Sequence, residues 1–220
     1  VAERGYDDAM IEETLRRLVA GLAAAAFVGY AVQPLAAQSI ANGTLLVASP
    51  ELADPNFARA VVLVLRHDDN GTLGVVVNRP TNLVPAQVFP ELAAGVGSYE
   101  GRLFRGGPIS PTQLLFLVRG LAAATVSGPE VLDKVFLSID PESLPDMTRF
   151  AAGADELRLY AGHAAWVPGQ LETEIGAGGW QVLPGTAELV FHTDPNSLWT
   201  ELEGRASGGA DVLAAVGADY

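Results

Sequence analysis

Three histidines, a short run of carboxylates and one arginine beside paired glycines are the residues here that could do chemistry. His67, His163 and His192 each fall at the end of a predicted strand. None has a second histidine or a carboxylate at a metal-binding spacing such as H-x-x-x-H, so no metal site is read from them. His67-Asp68-Asp69-Asn70-Gly71 has the composition of a calcium loop but lacks its alternating ligand order and distal glutamate, and a hairpin turn accounts for it. Glu172 and Glu174 could be paired acids. Alternate residues on a helix point apart, however, so the expected role is to complement the positive end of the helix dipole. Nucleophilic acyl chemistry has no visible elbow, because no serine stands in G-x-S-x-G and cysteine is absent. Arg105-Gly106-Gly107-Pro108 puts a cation beside an approachable backbone, which reads as an anion cradle or as a tight bend between strands. No motif calls for a cofactor, a metal or a catalytic residue.

The densest local signal is GHAAWVPGQLETEI, Gly162 to Ile175, read as a glycine-flanked aromatic turn that leads into a helix. The LRLY before it alternates as a half-buried strand does, and Pro168 is placed in the first helical turn, where its missing N–H costs nothing. Around this stretch the chain alternates short apolar runs with turn residues. TLLVAS, AVVLVLR and TLGVVVN read as strands, the last two joined at Asn70-Gly71, the strongest short hairpin signal. PAQVFPELAAGV has helical spacing broken at Pro90. RLFRGGP, QLLFLVRG, AATVSG and VFLSID read as further strands, and PESLPDMTRFAAG as a helix ending at Gly153. GWQVLPG, AELVFHTD and a closing helix PNSLWTELE complete the core. Asp54-Pro55-x-Phe57 and Asp194-Pro195-x-x-Leu198-Trp199 both read as capped helix starts with a buried aromatic or aliphatic residue behind the cap. Many links are too short for a helical crossover, so the expected fold is α+β: a strand-rich, mixed but largely antiparallel sheet with a few peripheral helices. No G-x-G-x-x-G follows a strand, which excludes a doubly wound nucleotide fold.

Composition narrows the function classes. The 220 residues are 49% hydrophobic, enough for a sizeable core, and carry a formal net charge of -13. Lys134 is the single lysine and lies between Asp133 and Val135, so there is no P-loop, and no basic stripe is present to neutralise a phosphate backbone. Direct nucleic-acid binding is therefore disfavoured. The absence of cysteine removes thiolate chemistry and fits a reducing compartment. Leu18 to Val32 is an uncharged apolar run behind Arg16-Arg17, with the outline of a signal peptide but an acidic lead. It reads either as an appended helix of a cytoplasmic protein or as a segment that exports or anchors the chain. The organisation expected is an extension at 1–42, one domain at 43–205 and a tail at 206–220.

Four blocks in order carry a family resemblance. LLVASPELADPNFARAVVLVLRHDDNGTLGVVVNRP, FRGGPIS, YAGHAAWVPGQLETEI and FHTDPNSLW together resemble the YqgE/AlgH family over roughly Gly43 to Arg205. His163, Ala165 and Val167 stand where that pattern has tyrosine, glycine and glycine, and valine at a position of positive φ would be strained. The resemblance implies a sheet curling toward an open barrel, a cytoplasmic location and no established enzyme activity. One branch of the family is associated with regulation of exopolysaccharide production. The leading expectation is a non-catalytic binding or regulatory protein that contacts an unknown protein partner or small ligand. Its candidate contact residues are Asn78, Arg105, Gly106, Gly107, Trp166, Gly169, Gln170 and Glu172. Two alternatives stand beside it: a small-molecule enzyme with Asn78, Arg105, Gln170 and Glu172 around one polar pocket, and a regulator binding DNA directly.

Overall fold

The computed structural model describes residues 40–204 except 93–95, 97, 98, 121–125, 127 and 152. The expected extension at 1–42, the strand expected over AATVSG and the tail expected at 206–220 lie wholly or mostly outside the described residues. Among the described residues nine strands form one sheet: β1 (Thr44–Ala48), β2 (Val61–Asp68), β3 (Gly71–Val76), β4 (Leu103–Arg105), β5 (Ile109–Val118), β6 (Glu130–Leu132), β7 (Val135–Ser138), β8 (Leu157–Trp166) and β9 (Trp180–Pro184). They lie in the order β6-β7-β5-β8-β3-β2-β1-β9, with β4 alongside β8. Every named pair is antiparallel except β4 with β8. The strand-rich α+β expectation holds, and the sheet curls into an open barrel. The curl brings the edge strand β6 close to the residue before β1: a Cβ added to Gly43 would lie 2.7 Å from the Val131 carbonyl oxygen and 2.8 Å from Leu132 Cβ.

The curl explains the near-continuous apolar strands. Val61, Leu63 and Leu65 of β2 face an inner cluster, while Val62 and Val64 face an outer one. Both faces of the strand are buried, so no polar residue alternates with the apolar ones. The expected hairpin to β3 forms, but its two turn residues are Asp69 and Asn70, and Gly71, at φ 115, already pairs with Asp68; the Asp68 carboxylate accepts from the Asn70 amide at 2.7 Å. α1 (Pro85–Val88) stops before Pro90, which opens a 3-10 turn, as the interrupted helical spacing implies. α2 (Leu144–Phe150) covers the other outer face. A 3-10 turn (Pro141–Ser143) leads into α2, and α3 (Gln170–Gly176), α4 (Ala187–Val190) and a closing helix over residues 198–204 follow. The last two close the inner cluster with Val190, Phe191, Leu198 and Leu202.

Four local expectations change. The segment Asp54-Pro55-x-Phe57 forms a turn, not a helix: the Asp54 carboxylate takes the Asn56 amide, while Phe57 is buried as expected. The helix expected to end at Gly153 ends at Phe150. β6 is an additional strand, three residues long and too short to show a period. AELV opens as a helical turn whose Thr186 hydroxyl accepts from the Leu189 amide.

Candidate functional site

The stretch read as an aromatic turn is strand as far as Trp166. Gly162 at φ 74 and a register shift between Ile109 and Leu114 on β5 absorb an irregularity, after which Thr72, Leu73 and Gly74 pair with Trp166, Ala165 and Ala164. The turn is only residues 167–169. Gly169 at φ 79 precedes Gln170, so Pro168 lies outside the helix rather than in its first turn. The positive φ positions of this stretch fall on Gly162 and Gly169 alone, and Ala165 and Val167 carry no such strain.

Glu174 ties this segment together. Its carboxylate accepts from Trp166 Nε1 at 3.0 Å, Trp180 Nε1 at 2.8 Å and Gln170 Nε2 at 2.9 Å. The Gln170 side-chain oxygen in turn accepts from the Val167 amide at 3.2 Å. Beneath the carboxylate, Phe57 stacks on Trp166 with centroids 5.7 Å apart, and Trp180 meets both rings edge-on at 5.4 and 5.8 Å. Sequence reasoning assigned Glu174 to the helix dipole and missed this role. A signal was present, since Gln170 and Glu174 are four apart on one helix face and a buried indole N–H needs an acceptor. Which carboxylate would receive the indoles depended on folding β9 against α3.

Above this knot lies a cleft of about 380 Å3 between the β2–β3 hairpin and the entry to α3. His67, Asp68, Asp69, Gly71 and Thr72 line one side, and Pro168, Gly169 and Glu172 the other. His67 bridges the walls: its Nδ1 is 2.8 Å from the Thr72 hydroxyl and its Nε2 3.5 Å from a Glu172 oxygen. Asp68 faces Arg66 Nη1 at 3.5 Å. Three carboxylates thus border the opening, and no lysine or arginine lines it.

Of the eight candidate contact residues, Gly169 and Glu172 line the cleft, and Trp166 and Gln170 form its support. The other four sit at the opposite end of β3. Asn78 is buried and fully engaged, accepting from the Val61 amide at 2.8 Å and donating to the Arg59 carbonyl at 2.9 Å. Gly106 donates its amide to Ala161, so it is not open to an anion. A Cβ at Gly107 would lie 2.1 Å from the His163 carbonyl oxygen, and one at Gly106 2.2 Å from that of Gly162. The paired glycines serve close strand packing. Arg105 is exposed. The four polar groups of the enzyme alternative therefore do not line one cavity.

The histidines also differ from expectation. His163 is inside β8, not at its end, and is fully buried with neither ring nitrogen hydrogen-bonded; burial pushes its pKa down to about 4. His192 follows α4 and sits 3.3 Å from Glu201. Among the described residues no group of three or more His, Cys, Asp or Glu side chains is arranged to hold a metal ion, and no helix is long and apolar enough to cross a membrane.

A family model described as AlgH-like matches residues 45–210. A UPF0301 protein of Streptomyces coelicolor is 39% identical over 183 residues, covering 79% of this chain and 90% of that protein. A UPF0301 protein of Mycobacterium tuberculosis is 34% identical over 170 residues, covering 76% and 83%. Among solved structures, a Corynebacterium diphtheriae protein superposes with a TM-score of 0.63 at 28% identity over 76% of this chain and 87% of the other. The AlgH protein of Pseudomonas aeruginosa, at 24% identity, shares the fold with a TM-score of 0.58 over 86% and 98%.

Proposed function

The chain belongs to the AlgH-like family, and from that premise we propose that it is a non-catalytic binding protein whose acidic cleft receives a cationic group, an amine or guanidinium, of a small ligand or partner protein. The observation that carries this reading is a cleft bordered by Asp68, Asp69 and Glu172 and fixed from beneath by the three donors on Glu174. A carboxylate pair at a partly enclosed opening attracts a cation more strongly than the same charges in open solvent, because fewer waters screen it. A pre-fixed support lowers the ordering cost of binding. His67 lies against Glu172, its Nε2 3.5 Å from a carboxylate oxygen, so a ligand entering the cleft meets the ring as well as the acids. We place this activity in the cytoplasm, and fractionation of cells expressing the full chain tests that placement.

The test is a calorimetric and NMR titration with agmatine and with Nα-acetyl-lysine amide, each beside its uncharged analogue. Cation binding should weaken with salt, shift the His67 ring resonances and fall at least tenfold in the double variant Asp69→Asn, Glu172→Gln. Equal binding of the uncharged analogue, or affinity unchanged in the double variant, overturns the cation assignment. Chemical conversion of either probe overturns the non-catalytic one.

A further inference from the structure

The end of the molecule holding Arg105 has the opposite character. Residues 79–83 run antiparallel to β4 through backbone bonds from Arg105 to Arg79, Thr81 to Leu103 and Leu103 to Leu83, with Pro80 bridging Phe104. This ribbon sets Arg105 beside Arg79 at one end and places Arg102 at the other, against Asn82. Arg79 is anchored by donating to the Asn56 and Ala58 carbonyls, and Arg102 Nη1 donates to the Asn82 carbonyl at 3.2 Å. Arg105 is exposed, has no carboxylate partner among the described residues, and its charge presses on Arg79. Among the described residues Asp54 acts on Arg79, and exposed Glu100 precedes Arg102 by two positions in the chain.

At the end of the ribbon and just after it, Leu83, Val84 and Val88 are the most exposed large apolar side chains described apart from Phe150, at 48%, 39% and 40%. Val84 is the extended N-cap of α1 and Val88 its last residue, so the exposed apolar side chains flank this single helical turn. A cationic ledge continuous with an exposed apolar patch, on a chain of net charge -13, is a local reversal of the molecule's charge.

The geometry points to this ledge as a docking surface for a short acidic, apolar peptide segment of a partner protein, its carboxylates on Arg105 and Arg102 and its aliphatic side chains on Leu83, Val84 and Val88. Charge complementarity selects the occupant. An anionic bilayer would have to approach a chain that is strongly negative elsewhere, whereas a peptide meets only the ledge. Anchoring Arg79 and Arg102 to carbonyls removes much of the side-chain entropy that flexible surface arginines lose on binding. This site is independent of the acidic cleft.

The experiment is fluorescence polarisation of the intact protein with a fluorescein-labelled peptide carrying leucine at i, i+4 and glutamate at most other positions. Controls are the same peptide with glutamine for glutamate, and phosphatidylglycerol vesicles. The acidic peptide should bind with salt-dependent affinity, lose at least tenfold to Arg105→Glu and severalfold to Val88→Ser, and lose an intermediate amount to Arg105→Gln, with melting temperatures unchanged. Equal binding of the glutamine peptide, indifference to Arg105→Glu, or vesicle binding without peptide binding overturns the proposal. So does concentration-dependent self-association that Arg105→Glu abolishes, since that outcome makes a second copy the occupant.

Discussion

The two ends of β3 differ in charge and in how they are held. At Gly71 and Thr72 the strand borders an acidic cleft whose support is a saturated polar network: two indoles and an amide on one carboxylate. Beyond Val76 it meets an arginine ledge held by backbone contact, with Gly106 accepting from the Val76 amide and the glycine pair pressed onto β8. The difference teaches that dense turn chemistry in a sequence has two unlike outcomes. One glycine- and proline-rich block frames a cleft; the other is a packing device preceded by an exposed arginine.

The largest expected effect tests the acidic end. Glu174→Ala leaves two indole N–H groups and the Gln170 amide without their acceptor, which should cost about 3–4 kcal/mol after allowing for water reaching the half-buried site. Denaturant unfolding followed by tryptophan emission measures it. A loss under about 1 kcal/mol would mean water replaces the carboxylate and the cleft has no fixed support.

Gly107→Ala tests the other end. The added methyl would meet backbone atoms of His163 and Ala164, which cannot rotate away, so a cost of about 3 kcal/mol is expected. If the variant unfolds at the wild-type denaturant midpoint, the glycine is open and the anion-cradle reading of this block revives.

Between the ends sits His163, and it yields the smallest and most pH-specific effect. Its folded pKa of about 4 lies below the unfolded value near 6.5, so between these values the unfolded chain binds more protons. Its contribution is constant above about pH 6.5 and is lost as the pH falls toward 4, by at most about 3 kcal/mol in total. Unfolding curves from pH 7 to 4 should therefore show His163→Leu gaining on the wild type as the pH drops. Parallel curves would show that water reaches the ring, joining the two ends through a hydrated interior.

Much of this architecture was legible in the residues. The Asn70-Gly71 hairpin, the break at Pro90 and the apolar runs of β1, β2 and β5 are local signals, set by backbone preference and burial within a few residues. Half of the candidate site was legible too: Trp166, Gly169, Gln170 and Glu172 do gather at one place. Glu174, Asp69 and His67 were misassigned or set aside because their roles depend on contacts between distant segments. The hairpin and α3 are about a hundred residues apart in the chain and meet only because β3 pairs with β8.

The sequence by itself determined that most of the apolar runs are strands, that a hairpin joins β2 to β3, that thiolate and P-loop chemistry are excluded, and that the chain is acidic. These follow from backbone preference, hydrophobic period and composition, which act locally or in sum. Only the tertiary structure decided that GHAAW is strand, that Glu174 rather than Glu172 receives the tryptophans, that the paired glycines admit β8 instead of an anion, and that opposite charges collect at the two ends of β3. Each of these depends on which distant side chain fills a given space, and that is fixed by the order and curl of the sheet.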